Sequence, residues 1–292
     1  MNHLWDFRVD GWKRLAVIGC AVVVCILSLG AEEKTEQLLN QAQAAHRSGN
    51  LGEALILAAK AINAEPKNPQ CYYVRGRLYA EDREHAKAVA DFDQALTLEP
   101  RGVEIYQLRG VEHFKLGHFQ ESCADFDKFL ERMPQKAPQH WQRGISCYYA
   151  GRYEDGRKQF ELHQTVNPND VENAVWHFLC VARLSSLDKA RAALLPIQED
   201  RRVPMMQVYA VFAGKAKPED VLAAAKGGYS SPAELNHQLF YARFYLGLFY
   251  EASGNEKLAR KHILEAAENY TSDDYMAEVA RVHAELLKKT GK

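Results

Sequence analysis

The chain has 292 residues, of which 37 are Lys or Arg and 38 are Asp or Glu, giving a formal net charge of -1. So even a balance gives no electrostatic reason to expect nucleic acid as a partner, and none is expected. No alternating apolar pattern marks a β-strand, and the expectation is an all-α chain.

The first element is N-terminal. Lys13-Arg14 precede an apolar run from Leu15 to Gly30, and the sequence turns polar at Glu32-Glu33-Lys34. As a helix this run would be roughly 24 Å long at 1.5 Å per residue, close to a bilayer core and long for a signal core. Residues 1–31 are therefore read as a signal peptide or a membrane anchor. Ser28-Leu29-Gly30 before Ala31 has the small-x-small form of a signal peptidase site, and the basic pair places Glu32 onward outside the cytoplasm. Val17-Ile18-Gly19-Cys20 has the form of a lipoprotein processing box, which makes Cys20 a candidate lipidation site. Cys20 and Cys25 also suit apolar fillers of a hydrophobic helix.

From Thr35 a period takes over. Pro66, Pro100, Pro134 and Pro168 are spaced 34 residues apart. In the unit Pro69 to Gly102, Tyr72, Gly76 and Tyr79 fall on a first helix, and Ala88, Phe92 and Ala95 on a second. Gly110 and Gly144 repeat Gly76, while Phe126 and Phe160 repeat Phe92. An earlier unit, Thr35 to Asn68, has Gly49 in its turn and Ala54, Ala58 and Ala61 on its second helix. This is the pattern of the tetratricopeptide repeat, a helical hairpin that buries its apolar face only by stacking on neighbours. A fifth unit begins after Pro168, with Phe178 at the glycine position and Pro196 shortening its second helix.

Beyond it, Val203 to Ala213 and Pro218 to Ala225 read as two short helices, parted by Gly214 and closed by Gly227-Gly228. Ser231 and Glu234 form a capping box with Pro232 at the first helical position. The repeat phase returns at Phe240, with Gly247, Tyr250, Gly254, Ala259, Ile263 and Ala266. A last amphipathic helix, Asp273 to Lys289, carries Met276, Val279, Val282 and Leu286 on one stripe and caps the array. The expected division is 1–31 N-terminal segment, 32–196 repeat array, 197–235 irregular helical insertion, and 236–292 C-terminal repeat with capping helix, the whole a solenoid of one continuous helical body.

Chemistry-bearing motifs are sparse. No HExxH pair, GxSxG elbow or phosphate-binding loop occurs, so no catalytic residue, cofactor or metal is expected. An enzymatic site in the insertion would need a polar cluster near Glu199, Asp200 and Arg201. Cys71, Cys123, Cys147 and Cys180 have no metal-ligand spacing. Cys123 and Cys147 are the pair whose repeat positions face each other, either as a disulfide or as packed thiols. Arg75, Arg109 and Arg143 precede the repeat glycines, and Asp91 and Asp125 precede Phe92 and Phe126. This spacing predicts ion pairs Arg75–Asp91 and Arg109–Asp125 across each hairpin. Gln159 stands where the fourth unit needs the aspartate, so Arg143 requires another partner.

First-helix positions facing the concave side read Tyr73 and Arg77, then Gln107, Val111 and Phe114, then Trp141, Ile145 and Tyr148, then Val175 and Leu179. Tyr73, Arg77, Val111, Phe114, Trp141, Ile145 and Tyr148 are the candidate protein-binding residues, because exposed aromatics suit a peptide or helix partner. The alternative for Trp141 is packing against Pro196 to Gly228 folded back across the groove. Lys and Asn at inward positions, needed to clamp a terminal carboxylate, are missing.

Several segments together resemble the NlpI family of bacterial lipoproteins: His140-Trp141-Gln142-Arg143-Gly144-Ile145, Tyr148-Tyr149-Ala150-Gly151-Arg152, Asn167-Pro168-Asn169-Asp170 with Trp176, Phe212-Ala213-Gly214, and Phe240 with Tyr245-Leu246-Gly247, Tyr250 and Gly254. The resemblance spans about Ala137 to Tyr270. It implies a homodimeric, membrane-anchored periplasmic adaptor that scaffolds cell-wall hydrolases and presents them to a tail-specific protease, without chemistry of its own. The runner-up expectation is a structural assembly factor of a membrane-associated complex.

Overall fold

The computed structural model describes residues 32–229, 231–270, 272 and 274–290. The N-terminal run, Cys20, Cys25 and Asp273 lie outside them. Among the described residues every regular element is a helix, and none is long and apolar enough to cross a membrane.

The helices are α1 (32–47), α2 (Leu51–Ala64), α3 (Pro69–Glu81), α4 (His85–Leu98), α5 (Val103–Lys115), α6 (Phe119–Arg132), α7 (Trp141–Tyr149), α8 (Tyr153–Gln164), α9 (Val171–Leu184), α10 (Leu187–Ala192), α11 (Met205–Phe212), α12 (Pro218–Ala225), α13 (Pro232–Ala252), α14 (Glu256–Asn269) and α15 (Tyr275–Thr290). A 3₁₀ turn, Pro134–Gln139, precedes α7. Two compact units result, with the boundary inside α5 between Ile105 and Tyr106.

In the first unit, α1 and α2 pack through Leu39, Ala42, Ala54, Leu57, Ala58 and Ala61. Asn50 and Asn68 cap α2 and α3 by accepting from the backbone N–H of Glu53 and Gln70, and Pro69 takes the first turn of α3, where its missing N–H costs nothing. The hairpin α3–α4 closes on Gly76: a Cβ there would stand 2.8 Å from the Phe92 ring. The glycine therefore sets the helix separation. Turns between paired helices fall at one repeat phase, Gly49, Arg83, Gly117 and Gly151, all with φ between 60 and 80°. Arg83 thus holds a left-handed backbone that a glycine would adopt without a steric penalty.

The second unit repeats the device. A Cβ on Gly110 would meet Phe126 at 2.8 Å, and one on Gly144 would meet Phe160 at 2.6 Å. Beside each contact runs an ion pair. Arg75 Nε and Nη2 donate to Asp91 at 2.8 and 2.7 Å, and Arg109 donates in the same bidentate way to Asp125 at 2.8 and 2.6 Å. In the fourth repeat Arg143 turns to Asp127 on α6 at 2.6 Å, which also accepts from Arg152. Gln159 instead donates to the Ala137 carbonyl.

At α9 the repeat changes. Phe178, at the glycine position, packs edge-on to Phe212 of α11 with ring centroids 5.1 Å apart, and α10 has six residues. A bulky first-helix residue keeps the second helix away, so α11 supplies the missing ring. The 21-residue α13 then begins at Ser231, whose hydroxyl accepts from Glu234 N–H, with Pro232 in the first turn. The stripe expected on the last helix is found, since Met276, Val279 and Val282 are buried. However, α15 also buries Ala277, Ala280, His283 and Ala284. Tyr275 lies edge-on to Trp141 at 5.1 Å and 5.7 Å from Phe114, and the Tyr149 hydroxyl is 2.9 Å from His283 Nδ1. The helix expected to cap the array therefore covers the first-helix face of its own unit.

Gly110→Ala should destabilise the second unit by about 1 to 3 kcal/mol through overpacking, and Gly110→Ala with Phe126→Leu should recover part of that loss. Urea unfolding read by tryptophan emission tests it, and equal midpoints for wild type and Gly110→Ala would refute the close-approach account. Asp125→Ala should cost roughly 3 to 5 kcal/mol by stranding Arg109. A double-mutant cycle between Arg109 and Asp125 should show coupling of about 1 kcal/mol or more; no coupling would show that the pair contributes nothing.

Candidate protein-binding surfaces

In the first unit, Tyr73 and Arg77 sit one turn apart on α3, with the Arg77 guanidinium 5.7 Å from the centre of the Tyr73 ring. Arg77 and Arg47 are exposed, and His46 pairs with Glu81. Tyr73 lines two hollows. One, of about 280 Å³, is bordered by Arg47, Arg77 and Glu81. The other, of about 520 Å³, is bordered by Pro69, Gln70, Glu99, Val103 and Ile105. This surface joins an aromatic plate to two exposed guanidinium groups, a pairing suited to polypeptide contact.

The second unit differs. Phe114 and Ile145 are fully buried and Tyr148 is 6% exposed, which corrects the expectation that the middle of the inner face presents them to a client. For Phe114 the cause is α15, which brings Tyr275 onto that face, while Tyr148 packs on Tyr153 of α8 and Trp176 of α9. Val111 is half-buried, as is Trp141, whose ring packs on Tyr275 of α15. The residue also lines a cavity reached by Arg202 of the irregular segment.

That cavity, about 250 Å³, has walls from Trp141, Trp176, Tyr241 and Tyr275 and polar lining from Asp170, Glu172, Asn173, Arg202 and Asp274. Two helix starts hold the acids. Asp170 caps α9 by accepting from Glu172 N–H, and Asp274 caps α15 by accepting from Ala277 N–H at 2.9 Å; carboxylates are favoured at such ends by the helix dipole. Arg202 donates to Asp170 at 2.7 Å, to Asp200 at 2.6 Å, and to Glu172. Glu172 also accepts from the Tyr245 hydroxyl at 2.6 Å. Burial pushes its carboxyl up to about 7, against the opposing pull of Arg202.

A polar cluster therefore does form near Asp200, joining residues far apart in the chain. It is not arranged as general acid–base machinery, because both Glu172 oxygens are already engaged by Arg202 and Tyr245. Sequence reasoning missed Asp170, Glu172, Asp274 and Tyr241; the one available signal was the pair of N-cap aspartates ahead of α9 and α15. Glu199 pairs with Arg201 at the surface. Among the described residues no group of His, Cys, Asp or Glu is placed to hold a metal.

Cys123 and Cys147 do face each other. They are free thiols, fully buried, with sulfurs 3.4 Å apart. The contact pushes the Cys123 thiol up and the Cys147 thiol down, with Arg143 and Arg152 adding to the latter. Burial likewise pushes the Cys71 thiol up to about 11, so Cys71 is a packed apolar residue.

Residues 39–103 match the model of the tetratricopeptide repeat. No curated protein matches the chain by sequence. Among solved structures, the chain is similar to a tetratricopeptide repeat protein from Parabacteroides merdae ATCC 43184, with 18% identity, a TM-score of 0.58, and coverage of 89% of this chain and 100% of that one. It is also similar to the MamA protein, with 14% identity, a TM-score of 0.52, and coverage of 69% and 100% respectively. These likenesses concern the fold, and they agree with the repeated glycine–phenylalanine hairpins: the chain is an all-helical array of tetratricopeptide-like hairpins.

Glu172 yields a pH test. Its folded-state pKa near 7 lies above the unfolded value of about 4.3, so its contribution is fully present below the unfolded value and is lost as pH rises through 7. Between pH 5 and 7 the wild type should therefore lose stability relative to Glu172→Gln by up to roughly 1.4 kcal/mol per pH unit. Urea unfolding at pH 5, 6 and 7 checks this, and parallel profiles for the two proteins would refute it.

Proposed function

We propose that the chain is a non-catalytic adaptor that binds protein clients at the bacterial cell envelope. The observation that carries the reading is the placement of Tyr73 between two surface hollows with Arg77 over its ring. A half-buried ring with one face at the surface and two rotatable bonds gives contact area at small entropic cost, and guanidinium groups beside it add directional hydrogen bonding. The surface lies within the stretch that matches the tetratricopeptide repeat, and such hairpin arrays leave an extended face for a polypeptide partner. The envelope placement rests on Lys13-Arg14 and the apolar run to Gly30, which retain the mature chain at the membrane or export it. The finer assignment, a homodimer that scaffolds cell-wall hydrolases and presents them to a protease, rests on the resemblance of Ala137 to Tyr270 to the NlpI family.

The test is crosslinking and affinity capture from envelope fractions, comparing wild type with Tyr73→Ala, Arg77→Ala. Both side chains lie at the surface, so the variant should keep its helicity while losing most of its captured clients. Clients retained in fixed ratio by the variant would favour a permanent assembly factor and overturn this reading. Recovery of the chain only in the cytosolic fraction would overturn the envelope placement.

A further inference from the structure

We propose that the cavity bounded by α7, α9, α13 and the start of α15 is an anchoring site for a lysine or arginine side chain of a polypeptide. The inference rests on the adaptor reading and names the chemistry its client presents.

Three properties of the cavity converge. Its walls are aromatic, Trp141, Trp176, Tyr241 and Tyr275, and the face of such rings attracts an ammonium or guanidinium, most strongly where water is excluded. Its charge is negative. Asp170 and Asp274 in the lining, with Asp200 paired to Arg202 beside it, outnumber Arg202 and His163, which lies 3.9 Å from Asp170, so an excess of acid remains even when Glu172 holds its proton and His163 is charged. Acceptors are also left over. Asn173, 3% exposed, directs Nδ2 to the Phe160 carbonyl and to Gln164, and its Oδ1 has no partner among the described residues. Glu172 accepts two hydrogen bonds of the roughly four a carboxylate takes.

Size and one donor then narrow the ligand. About 250 Å³ is small against the roughly 300 to 1,000 Å³ of sites for whole small molecules, and it suits one long side chain whose methylenes lie along the rings. Trp176, 1% exposed, lines the same cavity with its indole N–H unpartnered among the described residues. A free amine brings nothing for that donor, whereas a residue in a polypeptide brings a backbone carbonyl together with its cationic head.

The sequence supplies its own probe. Its four tryptophans are Trp5, Trp12, Trp141 and Trp176, so in full-length protein carrying Trp5→Phe and Trp12→Phe, held in detergent, all indole emission comes from the cavity. Titration with end-blocked Ala-Lys-Ala and Ala-Arg-Ala should give a saturable emission change at least tenfold tighter than with Ala-norleucine-Ala. Asp274→Asn keeps a good helix cap and removes one charge; it should weaken the cationic peptides at least fivefold relative to the wild type. Equal response to the lysine and norleucine peptides, or no effect of Asp274→Asn on affinity, would overturn the proposal. So would spermidine or n-butylammonium saturating the site as tightly as the peptides, which would assign it to small amines. Client capture that depends on Tyr73 and Arg77 while this titration stays flat would sink the anchoring site alone and leave the adaptor reading standing.

Discussion

The close approach of a glycine on one helix to a phenylalanine on the next is the contact on which the hairpins depend. Gly76, Gly110 and Gly144 each leave room for less than a methyl group beneath Phe92, Phe126 and Phe160. Interiors pack at crystal-like density, so this spacing is fixed rather than approximate. It also places the preceding residues. Asp91 and Asp125 reach the guanidinium groups of Arg75 and Arg109 because each Arg-Gly dipeptide faces an Asp-Phe dipeptide. Where Gln159 replaces the aspartate, Arg143 pairs with Asp127 of the preceding helix. An interaction that ties one hairpin together becomes one that ties neighbouring hairpins.

Losing the glycine has the opposite effect. Phe178 holds a second helix at a distance, and the space fills with Phe212 of α11, after which α13 runs long and α15 returns over the first-helix face. The second unit thereby covers its own inner surface with Tyr275 and His283. A surface that the regular repeat would offer to a partner is used for internal packing, and what stays accessible is a small cavity with acidic and aromatic walls. In the first unit Tyr73 is half-buried and Arg77 is exposed.

Much of this was legible in the sequence because each repeated position answers to one local contact. The 34-residue spacing of prolines, the Gly/Phe phase and the Arg/Asp phase each led to the contact found. The cap of α13 was readable for the same reason, as local backbone chemistry. The partner of α15 was not readable. A stripe of Met276, Val279 and Val282 says that a face is buried, not which surface buries it, so Phe114, Ile145 and Tyr148 read as exposed. Arg83 gave no sign of its left-handed backbone, since side-chain identity at that phase argued against a glycine-like turn. The acidic cluster was hidden more deeply, because Asp170, Asp200 and Asp274 belong to three segments brought together only by the irregular part of the chain.

The energetics of that cluster bear on what it is for. Gathering three aspartates and a buried glutamate around one arginine is a costly way to join α9 to α13, since a well-packed apolar residue in place of a buried ion pair is often neutral or stabilising. Helix dipoles at α9 and α15 offset part of the cost, and Arg202 offsets more. Neither accounts for Asn173 Oδ1 and Trp176 N–H, which find no partner among the described residues and lose their hydration without compensation there. Stability traded away in this manner is expected where a site must receive a charged group. A cation entering between the two tryptophans would complete the acceptor set, neutralise the excess acid, and raise the stability of the second unit in proportion to its occupancy.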